Sequence, residues 1–284
     1  VAARNKKTTS AKRKSSAGKK PMATKWKAVA AFLFLLLLLS PFYYGYVIKT
    51  FSAGWRWFKD LGGNPNYRTY KSFHIRIPSN YKIHGIDVSS YQGRIDWQRV
   101  KTMQEDSVHI GFAFIKATEG ILKVDPYFQR NWRECNKAGI TCGAYQYFRP
   151  KFSGKWQADL FLQTVKLQKG NLPLVVDVER LDGMKPEKMR QELDDFIKVI
   201  ILKTKITPII YTGLTFYQEN LAGFYDDCPL WISSFDHPVL TISAKTNWKF
   251  WQHSEKAKVN GIVSVVDFDL FRGDSLAFQK MLIK

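Results

Sequence analysis

From Tyr81 onward the chain alternates short apolar, β-rich runs with longer stretches whose apolar positions recur at helical spacing. The runs predict strands over Ile83 to Val88, Ile110 to Lys116, Cys142 to Phe148, Leu172 to Val178, Thr207 to Tyr211, Leu230 to Ser233, Lys249 to Gln252 and Val263 to Phe268. Helices are expected over Pro126 to Ala138, Lys155 to Gln168 and Pro186 to Lys203, the last with proline near a helix start, where its missing N–H costs nothing. Strand and helix in alternation read as a parallel α/β fold. Eight strands in roughly 200 residues suit a closed barrel better than an open doubly wound sheet. The later gaps leave little room for full helices, so the expected fold is an irregular TIM-like barrel, regular at first and tighter near its end.

Upstream the pattern changes. No charge interrupts the stretch between Lys27 and Lys49, which holds Phe32, Phe34 and the run Leu35 to Leu39. About 20 such residues in a helix cross a hydrocarbon core of ~30 Å, and Tyr43, Tyr44 and Tyr46 suit the interface at the far end. Residues 28–48 are therefore expected to be a single transmembrane helix, with Pro41 as a kink or an end. A cleaved signal peptide fits less well, because Ser40-Pro41-Phe42-Tyr43-Tyr44 offers no small-x-small cleavage site. Residues 49–80 mix Trp55, Trp57 and Phe58 with Gly62, Gly63, Asn64 and Pro65 and read as a juxtamembrane spacer leading to a domain over 81–284.

The formal charge of +20 invites a nucleic-acid reading, but ten of the cations lie in residues 1–27, where there is no acid. That segment, rich in Lys, Ser and Ala and without an apolar face, is expected to be a disordered tail against an anionic inner leaflet. The positive-inside rule then keeps the N-terminus cytoplasmic and sends everything after Lys49 to the periplasmic or extracellular side. The rest has no basic run interleaved with exposed aromatics, so no nucleic-acid partner is expected. Cys135, Cys142 and Cys228 match no zinc spacing; small buried thiols are the simplest reading, with one bridge left open. No nucleotide-binding glycine motif, metal-ligand pattern or nucleophile elbow is present, and no cofactor or metal is expected.

The chemistry concentrates in Leu174-Val175-Val176-Asp177-Val178-Glu179, where two acids end an apolar strand. Side chains at i and i+2 share a face, so Asp177 and Glu179 project together. The C-terminal end of a barrel strand is where active sites sit, and burial beside a second carboxylate raises one pKa, the arrangement that general acid catalysis needs. Asp87 in the first strand and Asp267 in the last would join them if the barrel closes, because those strands are then neighbours. Taken singly, each acid reads equally well as a helix cap or turn residue. Tyr145, Tyr147, Tyr211, Trp231 and Trp251 cluster at the same strand ends and could stack on sugar faces, though each alone is as readily core.

Those residues carry a resemblance. His84-Gly85-Ile86-Asp87-Val88-Ser89-Ser90-Tyr91-Gln92-Gly93, Ile95-Asp96-Trp97, Phe114-Ile115-Lys116-Ala117-Thr118-Glu119-Gly120, Asp125-Pro126-Tyr127-Phe128, Gly143-Ala144-Tyr145-Gln146-Tyr147-Phe148, Asp177-Val178-Glu179, Ile210-Tyr211-Thr212-Gly213, Trp251-Gln252 and Val266-Asp267 resemble, in order, segments of family 25 glycoside hydrolases. The resemblance runs from Tyr81 onward and leaves out the tail, anchor and spacer. It implies a (β/α)5(β)3 barrel and a lysozyme-like muramidase that cuts the β-1,4 bond between N-acetylmuramic acid and N-acetylglucosamine in peptidoglycan with retained configuration. It further implies Glu179 as general acid/base, and Asp177 as the acid that supports the substrate's acetamido group or the developing oxocarbenium ion. Asp87 and Asp267 would be further acids of the site, with Gln252, Lys116 and Glu119 near the cleft, although a Lys116–Glu119 salt bridge is an equal reading. Asp269 stands where the family commonly has asparagine. Covalent and substrate-assisted routes both remain open.

Two rivals follow from the same residues. Chitinase-like barrels also end a strand in Asp-x-Glu but carry further aspartates before it, where this chain has Leu172-Pro173-Leu174-Val175-Val176. A catalytically silent wall-binding protein could use the mouth only to grip glycan. A tethered enzyme reaches only nearby glycan, which suggests remodelling of the cell's own wall over attack on other cells.

Overall fold

The computed structural model describes residues 26, 27, 29–34 and 66–284. The anchor expected over 28–48 and the tail over 1–27 fall largely outside them; among the described residues no helix is long and apolar enough to cross a membrane. Residues 66–284 belong to one compact unit.

Two short antiparallel strands, β1 (Tyr67–Tyr70) and β2 (Ile75–Pro78), come first. They lie inside the stretch expected to be spacer, yet Phe73 and Ile77 are fully buried and the Lys258 backbone N–H donates to the Phe73 carbonyl. The spacer reading fails here because the hairpin contributes apolar side chains to the main core, which a local scan of composition does not register.

The barrel strands are β3 (His84–Val88), β5 (Val108–Glu119), β7 (Thr141–Tyr147), β8 (Val175–Asp177), β9 (Ile209–Gly213), β10 (Leu230–Ser233), β11 (Trp248–Ala257) and β12 (Val266–Phe271), with the short β4 (Gln104–Glu105) and β6 (Lys123–Val124) flanking β5. Pairing runs from β3 through β5, β7, β8, β9, β10, β11 and β12 back to β3, which closes the sheet. All neighbours are parallel except β12, which is antiparallel to both β11 and β3. Helices α1 (Trp97–Thr102), α2 (Phe128–Lys137), α3 (Gly154–Thr164), α4 (Pro186–Thr204) and α5 (Leu214–Asn220) each follow one of the first five barrel strands, and the last three strands have none between them. The expected five strand–helix units and three strands are thus observed. A C-terminal helix, α6 (Ser275–Met281), is additional.

Alternation sorts each strand into two faces. Outward residues such as Ile86, Val88, Val176, Val178, Ile210, Phe268 and Leu270 pack under the helices. Inward residues fill the lumen: Phe112 and Phe114 from β5, Trp231 from β10, Phe250 from β11 and Phe271 from β12, with Phe278 of α6 packed against Phe112 and Phe271. Phe114 stacks on Trp231 at a centroid distance of 4.3 Å. These rings need space that other strands give up. A Cβ at Gly85 would overlap the Phe112 ring and one at Gly143 the Phe114 ring, which is why glycine stands at both. The polar mouth therefore rests on a solid aromatic floor.

Cys135 of α2 and Cys142 of β7 form a disulfide, so the reading of these two as free thiols is corrected; only Cys228 is a buried free thiol. The pairing depends on α2 packing back over β7, a tertiary contact that spacing alone does not reveal.

Candidate active site

The C-terminal ends of the parallel strands open into a cleft of about 410 Å³ lined by Asp87, Ser89, Lys116, Tyr145, Tyr147, Asp177, Glu179, Tyr211, Trp231, Phe235, Gln252, Glu255 and Asp267. The four predicted acids all reach it. Asp177 is the last residue of β8 and Glu179 follows two residues later, with the Val178 N–H still held by the Tyr211 carbonyl. The strand geometry thus continues past its formal end and turns both carboxyls inward. Asp87 and Asp267 are direct cross-strand partners in the closing pair of β3 and β12.

Concentrating carboxyls in a semi-enclosed mouth disfavours their ionisation. Burial raises the Glu179 pKa, with Arg180 and Lys116 opposing. Burial also raises Asp177, and the neighbouring Glu179 charge adds to it. Asp267 is pushed up to about 7, first by burial and then by Glu255 and Glu179. Asp87 is raised by burial and by Asp267 and Asp269. A mouth of this kind keeps a proton available on a carboxyl well above the ordinary carboxylate range.

A hydrogen-bond chain links the two sides. The Gln252 amide Nε2 donates to Asp87 Oδ2 at 2.7 Å, and its Oε1 accepts from the Tyr211 hydroxyl at 2.7 Å. Tyr211 is also within hydrogen-bonding reach of Glu179. That contact lowers the Glu179 pKa and so partly offsets the burial that raises it. Gln252 is itself fixed in orientation, its amide nitrogen donating to Asp87 and its carbonyl accepting from Tyr211.

Several expected residues take other parts. Lys116 lines the cleft, but its Nζ pairs with Glu119 at 2.9 Å and lies 4.7 Å from the Tyr147 ring centroid. Glu119 itself is outside the cleft, shared among Lys116, Lys123 and Arg149, so the salt-bridge reading holds for it. Trp251 is fully buried on the outer face of β11 against Tyr81 and His253, with Nε1 donating to the Ser234 carbonyl; it is not a sugar platform. The reason is register: Phe250 and Gln252 point inward, so Trp251 cannot. Trp231 forms the cleft floor at only 2% exposure. Tyr145 and Tyr147 stand on the wall.

Ser89, Phe235 and Glu255 were not expected. Glu255 enters because β11 continues to Ala257, well past Gln252 where its apolar run stops. Asp269 is fully buried beneath the mouth: its Oδ1 accepts from Trp231 Nε1 at 2.9 Å, while Oδ2 has no nitrogen or hydroxyl partner and the side chain contacts Asp87. Among the described residues no group of three or more His, Cys, Asp or Glu side chains is arranged to hold a metal ion.

The comparisons with known proteins agree with this geometry. The sequence model of Glycosyl hydrolases family 25 matches residues 86–262. Protein YegX of Escherichia coli K12, itself uncharacterised, is 46% identical over 207 residues, 73% of this chain and 76% of that protein. Lysozyme M1 of Streptomyces globisporus is 32% identical over 237 residues, 78% of this chain and 77% of that protein. Among solved structures, a family 25 glycosyl hydrolase from Bacillus anthracis superposes with a TM-score of 0.67 at 31% identity, covering 76% of this chain and all of that one. With the closed barrel, the acid pair at the end of β8 and a family match across most of the folded unit, the chain belongs to glycosyl hydrolases family 25.

Proposed function

We propose that this protein is a muramidase that hydrolyses the β-1,4 bond between N-acetylmuramic acid and N-acetylglucosamine in peptidoglycan. The observation that carries the reading is the projection of Asp177 and Glu179 together from the end of β8 into an acid-lined cleft, in a chain whose family relatives include lysozymes. Glu179, its pKa raised by burial, donates its proton to the glycosidic oxygen as the bond breaks. Asp177 supports the positive charge that develops at the anomeric centre or the acetamido group that shields it. Asp87 and Asp267 hold substrate hydroxyls and amides, and the rings of Tyr145 and Tyr147 present flat apolar surface to the sugar.

The enzyme is held at the membrane by residues 28–48, with 1–27 cytoplasmic and the barrel in the periplasm or outside the cell, where it trims the wall of its own cell. Supporting this are the uncharged stretch, the ten cations before it and the Cys135–Cys142 disulfide, a bond that persists in oxidising compartments. Resistance of the full chain to alkaline extraction from membranes, and loss of that resistance on deleting 28–48, tests the anchor.

The decisive assay incubates purified peptidoglycan with the full chain and with Glu179→Gln, and identifies the new reducing ends. Muramic acid reducing ends from the parent, falling about 10²–10⁴-fold in the variant, are expected for loss of a general acid. Glycan binding without cleavage by either protein would instead make the barrel a wall-binding module, and cleavage of N-acetylglucosamine polymers in preference to peptidoglycan would make it chitinase-like.

A further inference from the structure

Beside the acidic cleft lies a second and larger depression, of about 730 Å³, with the opposite electrostatic character. It runs between two connections that both start at the cleft. The segment after β3 lines the cleft with Ser89 and the depression with Arg94 and Arg99; the β11–β12 connection follows Glu255 of the cleft with Lys258 in the depression. The two connections are tied together where they meet, by Gln92 Nε2 donating to the Val265 carbonyl and by the Asp96 N–H donating to the Gly261 carbonyl at 2.9 Å. Gly261 has φ +94, and a Cβ there would strike the Asp96 carbonyl, so only glycine permits this seam. The depression is therefore a fixed feature of the rim.

Its cations are uncommitted. Arg94, Arg99 and Lys258 are exposed and form no ion pair among the described residues, whereas Arg130 is held by the Ile95 carbonyl and Asn131. Of the two acids present, Asp96 caps α1 by accepting from the Arg99 N–H, and Glu134 is paired with Arg133. The cleft next door gathers Asp87, Asp177, Glu179, Glu255 and Asp267 against Lys116 alone. An uncharged sugar chain tolerates the acid cleft; an anionic group attached to it is repelled from there and attracted to the rim groove.

We infer that the groove bordered by Arg94, Arg99 and Lys258 binds the carboxylate-bearing peptide that hangs from the glycan while the glycan occupies the cleft. The inference rests on the peptidoglycan reading, since only that glycan carries such peptides. Ser89 and Arg94 are five residues apart along the chain, at most ~18 Å, the reach of about five extended peptide residues. The groove thus makes the enzyme prefer strands that still carry their peptides over stripped strands.

The test uses the full chain and a variant with Arg94→Ser, Arg99→Ser and Lys258→Ser, none of which lines the cleft. The KM is measured on glycan strands with their peptides and on the same strands freed of peptide by amidase and capped at the exposed lactyl carboxylates as methyl amides, and binding of the released peptide alone is followed by calorimetry. Three exposed charge contacts make the expected preference for peptide-bearing strands roughly tenfold in KM, weakening as salt is raised. The triple variant should lose that preference and the peptide binding, with turnover of stripped strands unchanged. Equal KM on both substrates, or a triple variant that keeps the preference, overturns the groove. Peptide binding that depends on the three cations, without cleavage of either strand, retains the groove and overturns the muramidase assignment. Absence of peptide binding alongside normal cleavage does the reverse.

Discussion

Replacing Asp269 by asparagine should stabilise the protein, and only at neutral to alkaline pH. Asp269 is fully buried, with Trp231 Nε1 on Oδ1, an unpartnered Oδ2 and the Asp87 carboxyl in contact. Burial raises both acids and Asp267 raises them further, so the folded pair retains a proton at pH values where the unfolded chain has released both. The folded state then binds more protons than the unfolded one. Its stability is full below the ordinary aspartate pKa of about 3.9 and falls as pH rises toward the folded value, by up to ~1.4 kcal/mol per pH unit. Asparagine keeps an acceptor for Trp231 and turns an amide donor to Asp87, which can then ionise. A hydrogen bond to a charged group contributes about 1.5–3 kcal/mol, and a domain of this size shifts in Tm by about 2–4 °C per kcal/mol. Asp269→Asn should therefore melt roughly 3–12 °C above the parent at pH 8 and within about 2 °C of it at pH 4. Thermal unfolding followed by circular dichroism at both pH values measures this. Equal shifts at the two pH values, or a lower Tm at pH 8, would refute the shared proton.

Arg180 lowers the Glu179 pKa, so Arg180→Gln should raise it, keep the acid protonated to higher pH and move the alkaline limb of the pH–rate profile upward; an unmoved limb would count against Glu179 as the acid. Gly85→Ala should destabilise by about 1–3 kcal/mol through overlap with the Phe112 ring, read by urea unfolding, whereas Gly139→Ala, with open space around it but positive φ, should cost only about 1 kcal/mol. The Cys135–Cys142 bridge closes a short loop, with a separation of seven residues, so Cys135→Ser with Cys142→Ser should lose about 2–3 kcal/mol without altering glycan cleavage; a larger loss would mean the bridge also holds α2 in place.

The local pattern of the sequence determined the units: which runs become strands, which face of each is apolar, and that Asp177 and Glu179 leave β8 on the same side. Period-two alternation is set by backbone geometry, so it can be read without knowing what packs where. The same alternation, applied with the right register, would have turned Trp251 outward; the missing piece was which of Phe250 and Trp251 faces the lumen, and only closure decides that, because both are apolar. Closure likewise brings Asp87 beside Asp267, buries Asp269 under them and lets Gln252 bridge Asp87 to Tyr211, contacts between residues far apart in the chain. The hairpin at Tyr67–Pro78 and the disulfide belong to the same class: each depends on a surface that exists only after the barrel has formed. Chemistry carried by neighbours in sequence is written locally, while protonation, hydrogen-bond direction and the opposed charges of cleft and groove are properties of the assembled rim.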